Sequence, residues 1–172
     1  RDLHVCDRRQ RQMCIRDSYN CPGQLVLGGE KAAVEAAAAL AKEKGARRCL
    51  PLKVSGPFHS PFMKPAGEKL EQELEQVRLS ELQIPYVSNV SAQPITKTEQ
   101  IRSLLSQGVY SPVKWEQSMR TMLAEGVEYF VEIGPGHTLS TLLKKINAEA
   151  KICTVSTMED LVRMQDFLNE TV

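Results

Sequence analysis

Few residues in this chain have chemistry beyond packing, and His59 is the first of them. It stands in Ser55-Gly56-Pro57-Phe58-His59-Ser60-Pro61-Phe62-Met63, between two prolines and after a glycine. Proline lacks an N–H and fixes φ, so this stretch is neither regular helix nor central strand. A stiff loop therefore displays the imidazole. Imidazole titrates near neutrality and can take a proton from a hydroxyl or thiol, then return it to a leaving group. The other reading is a loop histidine hydrogen-bonded for packing. A second candidate is Asn89 in Ser88-Asn89. Its amide can orient an imidazole or, as asparagine often does in turns, hold a loop. A third is Glu132-Ile133-Gly134-Pro135-Gly136-His137-Thr138, where a glycine loop ahead of a helix can turn backbone N–H groups toward an anion. It matches neither GxGxxG nor GxxxxGKS/T, and a tight turn between strand and helix is the reading its composition favours, with His137 decorating the helix start.

A base needs a group to deprotonate, yet no GxSxG elbow occurs in the 172 residues. Cys49 lies in an apolar run and Cys21 in a turn without activating neighbours, so both read as incidental thiols. The five cysteines (Cys6, Cys14, Cys21, Cys49, Cys153) are odd in number and include no CxxC pair. Neither a disulfide framework nor a zinc site is indicated, no metal is expected, and a reducing cytoplasm fits best.

The elements that must position these residues come from an ordinary soluble composition, with 42% hydrophobic and 25% charged residues. The 22 basic residues nearly balance the 21 acidic ones, which argues against nucleic acid or an anionic membrane as partner. The Ala-rich stretch 32–41 is broken by Glu35 and is too short to span a bilayer. Residues 1–18 hold five Arg and three Asp with no sustained alternation, and read as a foreign arm, artefactual or disordered, outside the fold. From Tyr19 onward elements alternate. A turn at 20–23 precedes a strand at 24–27, an Ala-rich helix at 30–44 stopped by Gly45, and a strand at 48–54, making a β-α-β unit. Helix 65–77, strand 84–87, a short helix at 98–105 and a longer one from Pro112-Val113 to Gly126 follow. Strand 128–133, helix 138–147, strand 151–155 and a capping box at Thr157-Met158-Glu159-Asp160 close the pattern. This predicts an α/β sheet, largely parallel, with reactive groups at the carboxyl ends of its strands.

Four segments occur in a telling order: Val54-Ser55-Gly56-Pro57-Phe58-His59-Ser60-Pro61-Phe62-Met63, Pro85-Tyr86-Val87-Ser88-Asn89-Val90, Ser111-Pro112-Val113-Lys114-Trp115 and Val131-Glu132-Ile133-Gly134-Pro135-Gly136. Together with the turn Asn20-Cys21-Pro22-Gly23-Gln24, they resemble the C-terminal half of the malonyl-CoA:acyl carrier protein transacylase family, over residues 19 to about 168. The resemblance implies an incomplete α/β-hydrolase-like acyltransferase subdomain (residues 55–172) plus part of an inserted ferredoxin-like small subdomain (residues 19–54). The break would fall inside the small subdomain and leave sheet edges and apolar faces uncovered.

The chemistry implied is ping-pong: a serine in a GHSxG motif takes malonyl from coenzyme A and passes it to the phosphopantetheine thiol of acyl carrier protein. His59 matches the catalytic histidine, oriented by a main-chain carbonyl. Alignment on Trp115 assigns that carbonyl to Gly108, or to Gln107 if the register slips by one. Relatives often carry Gln at position 108; because only backbone is needed, glycine leaves the contact possible on a less rigid loop. Asn89 and Gly108 thus stand behind the histidine. Phe58 matches the aromatic of malonyl-selective members, where a flat ring leaves room for a carboxylate and crowds an α-methyl. The serine, the carboxylate-binding arginine and the oxyanion-loop glutamine would lie in the absent half, so this chain alone should transfer no malonyl. No cofactor is implied, and malonyl-CoA enters as substrate. The alternatives are an acyltransferase domain of a polyketide or fatty acid synthase, disfavoured by the absence of a following linker, and a non-catalytic α/β module holding an anion on the Gly134-Pro135-Gly136 loop.

Overall fold

The computed structural model describes residues 14–54 and 56–169, with only the backbone at Cys14. It opens with an antiparallel hairpin of β1 (Cys14–Cys21) and β2 (Gln24–Gly29), closed by Pro22-Gly23. Proline presets the first turn position and Gly23, at φ +78°, takes the second. β1 includes residues 14–18, so the end of the segment read as a foreign arm is part of the fold; residues 1–13 lie outside the described residues. These five residues are held by pairing with β2 and by Asp17, whose carbonyl accepts the Val113 N–H at 2.8 Å.

Helix α1 (Lys31–Glu43) ends in a Schellman motif. Ala46 N–H donates to the Ala41 carbonyl, Gly45 N–H to that of Lys42, and Gly45 adopts φ +93°. The chain then runs through 48–54 without regular structure and pairs with no strand among the described residues, which corrects the predicted β-α-β unit. Pro51 cannot donate to a ladder, and Leu50, Leu52 and Val54 are exposed. The Cys49 thiol, donating to the Ala38 carbonyl of α1 at 3.5 Å, pins the segment instead.

A 3-10 turn (Pro61–Met63) leads into α2 (Lys64–Glu75). The strand predicted at 84–87 shrinks to β3 (Tyr86–Val87), because Pro85 has no N–H to offer, and it pairs antiparallel with the unpredicted β4 (Pro94–Ile95). Thr98–Gln100 forms a second 3-10 turn that continues as α3 (Ile101–Tyr110), five residues past the predicted end. Glycine at 108 does not stop it. Pro112 does, by biasing Ser111 to extended backbone (φ −106°, ψ 151°).

Helix α4 (Trp115–Ala124) precedes a β-α-β unit of β5 (Tyr129–Ile133), α5 (Thr138–Ile146) and β6 (Lys151–Val155), and α6 (Met158–Asn169) packs back on β6. Of the three strand pairs among the described residues, β5–β6 is parallel and the other two are antiparallel, which corrects the expectation of a largely parallel sheet. Both antiparallel pairs are local hairpins, whose short loops permit no crossover. The core gathers Met119 of α4, Leu143 of α5 and Ala150, with Trp115, Phe130 and Ile152 against it. At the N-terminus of α6 the Asp160 carboxylate accepts the N–H groups of Ser156 and Thr157 at 2.8 Å each, half of the predicted capping box.

Candidate active site

Helices α2 and α3 pack so closely that a β-carbon on Gly67 would fall 2.5 Å from the Tyr110 ring and 2.8 Å from the Ser106 carbonyl oxygen. Each helix is capped from the other's side. Arg102, at the start of α3, donates to the Leu74 carbonyl at 2.8 Å and the Val77 carbonyl at 2.6 Å, satisfying the end of α2. At the opposite end the cap of α3 is His59.

The C-terminus of α3 explains why a histidine can dock there. Ser111 N–H takes the Gln107 carbonyl at 2.8 Å. The next carbonyl, Gly108, would be reached by the N–H of residue 112 if the helix continued, but residue 112 is proline and has none. Val109 would be reached by Val113, whose N–H goes instead to Asp17. His59 satisfies both of these carbonyls. Its backbone N–H donates to Val109 at 3.0 Å, and its ring Nδ1 lies 2.9 Å from the Gly108 oxygen. A carbonyl only accepts, so in the neutral ring Nδ1 carries the proton and Nε2 is the acceptor. The residue is partly exposed. An oriented, accessible imidazole with an unprotonated Nε2 has the arrangement of a general base.

The loop before α2 holds this ring on unusual backbone. His59 has φ +56°, the left-handed region that residues with a β-carbon rarely occupy. Phe58, beside it, is close to half exposed, its ring 3.5 Å from where a β-carbon on Gly56 would stand. Asn89 reaches the same place from the β3–β4 loop. Its amide oxygen and nitrogen would lie 3.9 and 4.0 Å from a β-carbon on Gly108, and its carbonyl accepts the Lys114 N–H at 2.9 Å. Buried Ser88, accepting the Val90 N–H at 3.2 Å, stiffens that loop. His59, Gly108 and Asn89 are thus brought together. Sequence reasoning missed Val109. The signal for the free carbonyls was Pro112, standing four residues after Gly108.

The glycine loop is a different matter. The Glu132 carboxylate accepts the N–H groups of Leu139 at 3.0 Å and Ser140 at 2.8 Å, and the Ser140 hydroxyl as well. The anion at the start of α5 is therefore the protein's own. Burial pushes the Glu132 carboxyl up, but the Ser140 hydroxyl, the Ser140 and Leu139 N–H groups and nearby His137 outweigh it and hold it below the ordinary glutamate range. Cys21 is buried, and burial pushes its thiol up, with Lys145 pulling down and Glu116 adding to the rise. That is the opposite of an activated nucleophile.

Comparison with known proteins shows what the chain as a whole is similar to. The family described as Acyl transferase domain matches residues 4–165. A malonyl CoA-acyl carrier protein transacylase of Bacillus subtilis (strain 168) is 49% identical over 144 residues, 84% of this chain and 45% of the relative. Its counterpart in Staphylococcus aureus (strain MSSA476) is 42% identical over 144 residues, 84% of this chain and 47% of the relative. The crystal structure of MCAT from Streptococcus pneumoniae superposes with a TM-score of 0.85 at 38% identity, covering 92% of this chain and 52% of that one. PlMCAT, solved with AntF, a type II PKS acyl-carrier protein, superposes at 0.87 with 35% identity, covering 96% of this chain and 55% of that one. The chain spans about half the length of the curated relatives it matches. A match across most of its length, with relatives this similar, means that the chain belongs to the acyl transferase domain family.

Proposed function

We propose that this chain carries the histidine half of an acyltransferase that moves malonyl from coenzyme A to the phosphopantetheine thiol of acyl carrier protein. The observation that carries the reading is His59, with Nδ1 tied to the Gly108 carbonyl and Nε2 left to accept. In the first half-reaction Nε2 takes the proton of a serine hydroxyl as its oxygen attacks the thioester carbonyl. The C–S bond breaks, and the coenzyme A sulfur leaves with the proton from the imidazolium. In the second, Nε2 deprotonates the carrier thiol, which attacks the serine ester and releases the hydroxyl.

The attacking serine is supplied from outside these 172 residues, which contain no GxSxG. This chain alone is therefore expected to form no malonyl ester. In this reading residues 19–54 belong to the small inserted subdomain and 55–172 to the large one, Phe58 borders the acyl group, Asn89 stands behind the histidine, and the enzyme works in the cytoplasm. The anion-module alternative loses its site because Glu132 occupies the start of α5.

The test is His59→Ala in the full-length enzyme, with labelled malonyl-CoA and carrier protein. Transfer should fall about 10²- to 10⁴-fold, the range of a lost general base. Turnover near wild type would remove His59 from the mechanism, and a malonyl ester found on the isolated chain by mass spectrometry would show that the nucleophile lies within it.

A further inference from the structure

We infer that Ser60 is a positioning residue for His59, acting through the turn that carries the imidazole. Ser60 is fully buried, at 0% exposure. A buried hydroxyl needs a partner, and the Ser60 Oγ donates to the Pro57 carbonyl at 2.5 Å, spanning three residues back along the chain. Phe58 and His59 are the two residues inside that span. They form the two inner positions of a turn, and the Ser60 hydroxyl on the Pro57 carbonyl clamps that turn from the side chain.

The closure matters because of what it encloses. At φ +56°, His59 occupies backbone that glycine or asparagine usually fills. Such a conformation persists only where the surroundings over-determine it. Three bonds do so here: the His59 N–H to Val109, Nδ1–H to Gly108, and the Ser60 hydroxyl to Pro57. The first two reach across to α3 and hold the ring only if the backbone already turns toward it. The third is local, and sets that turn. Without it His59 can relax to negative φ, which swings the imidazole away from Gly108 and frees Nδ1. The proton is then no longer fixed on Nδ1, and Nε2 is no longer held as the acceptor. The inference deepens the proposed role of His59, but it concerns ring geometry and can be read without any acyl transfer.

The experiment is long-range ¹H–¹⁵N NMR of the histidine rings in this chain, which reports which ring nitrogen bears the proton. Wild type should show His59 in the Nδ1–H form. Ser60→Ala should give a mixed tautomer in a chain that keeps its fold by circular dichroism, and Ser60→Thr, which retains the hydroxyl, should restore the Nδ1–H form. If Ser60→Ala does not fold, Ser60→Cys, with a weak donor of similar size, takes its place with the same expected loss. In the full-length enzyme the alanine variant should lose about tenfold in kcat, the equivalent of roughly 1.4 kcal/mol, with KM little changed. An unaltered Nδ1–H resonance in any folded variant lacking the hydroxyl overturns the inference, whether or not the protein transfers malonyl. A kcat loss with the tautomer intact overturns it equally, by placing the effect elsewhere.

Discussion

One added methyl group at Gly67 should part the two helices that hold His59. A β-carbon there falls 2.5 and 2.6 Å from Tyr110 Cδ1 and Cε1, and 2.8 Å from the Ser106 carbonyl oxygen. The tyrosine ring can rotate away. The Ser106 oxygen is main chain and moves only with α3. Reaching ordinary contact, about 3.4–3.7 Å, requires the helices to separate by about 0.6–0.9 Å. The His59 bond to Gly108 begins at 2.9 Å, so the same shift stretches it to about 3.5–3.8 Å, past hydrogen-bond range.

Overpacking of this kind costs about 1–3 kcal/mol, against which alanine gains about 1 kcal/mol over glycine in any helix. Gly108→Ala supplies the control, because it has the same helix gain in the same helix pair. Its β-carbon meets only the Asn89 amide, at 3.9 and 4.0 Å. Subtracting the two isolates the clash: Gly67→Ala should melt about 2–12 °C below Gly108→Ala. Thermal unfolding by circular dichroism measures the difference, and the His59 Nδ1–H resonance should weaken in the first variant and survive in the second. Equal melting temperatures would refute the reasoning.

Glu132 makes stability depend on acid. Its folded carboxyl is held below the ordinary value of about 4.3, so its contribution is present above that pH and is lost as pH falls through the lower folded value. Glu132→Gln should therefore lower Tm at pH 7 and flatten the decline of Tm below about pH 4.3, as read by melting curves from pH 7 to 3. Cys21, buried and with its thiol pushed up, should resist iodoacetamide at pH 8 in the native chain and react on unfolding; rapid native alkylation, seen by mass spectrometry, would contradict its burial. Phe58→Ser in the full-length enzyme should shift the malonyl-to-methylmalonyl preference by about tenfold toward the branched group, and an unmoved ratio in a competition assay would take Phe58 out of the acyl pocket.

What the sequence made legible was whatever depends on local chemistry. The Gly45 stop of α1, the strand at 128–133, the Thr138 helix and the β6 boundaries are all set by residues within a few positions of one another. Elements that depend on a distant partner were not legible. Residues 48–54 have the composition of a strand, but a strand is defined by what pairs with it, and nothing local supplies that pairing. β4 was hidden for the converse reason, since Pro94-Ile95 looks like loop until Tyr86-Val87 lies beside it. The reach of α3 to Tyr110, five residues past 105, is set by Pro112, a stop signal that lies beyond the predicted helix. At the site, His59 was conspicuous through its prolines. The closure of its turn by Ser60 was not, because serine beside a proline carries no mark of burial.

That His59 is oriented by main-chain oxygens has a consequence for where the site is fragile. A carboxylate orienter can be removed by one substitution, but the Gly108 and Val109 carbonyls remain whatever side chains stand at 108 and 109. The constraint moves to residues that keep those carbonyls free and in place. Pro112 withholds the N–H that would otherwise compete for Gly108. Gly67 sets the distance between α2 and α3, and Ser60 turns the backbone so that His59 can reach. None of the three needs to touch a substrate, yet each governs whether Nε2 is available to accept a proton. Sensitivity to mutation should therefore be spread through the packing of two helices and one turn, with Gly108 itself, directly beneath the ring, among the more permissive positions.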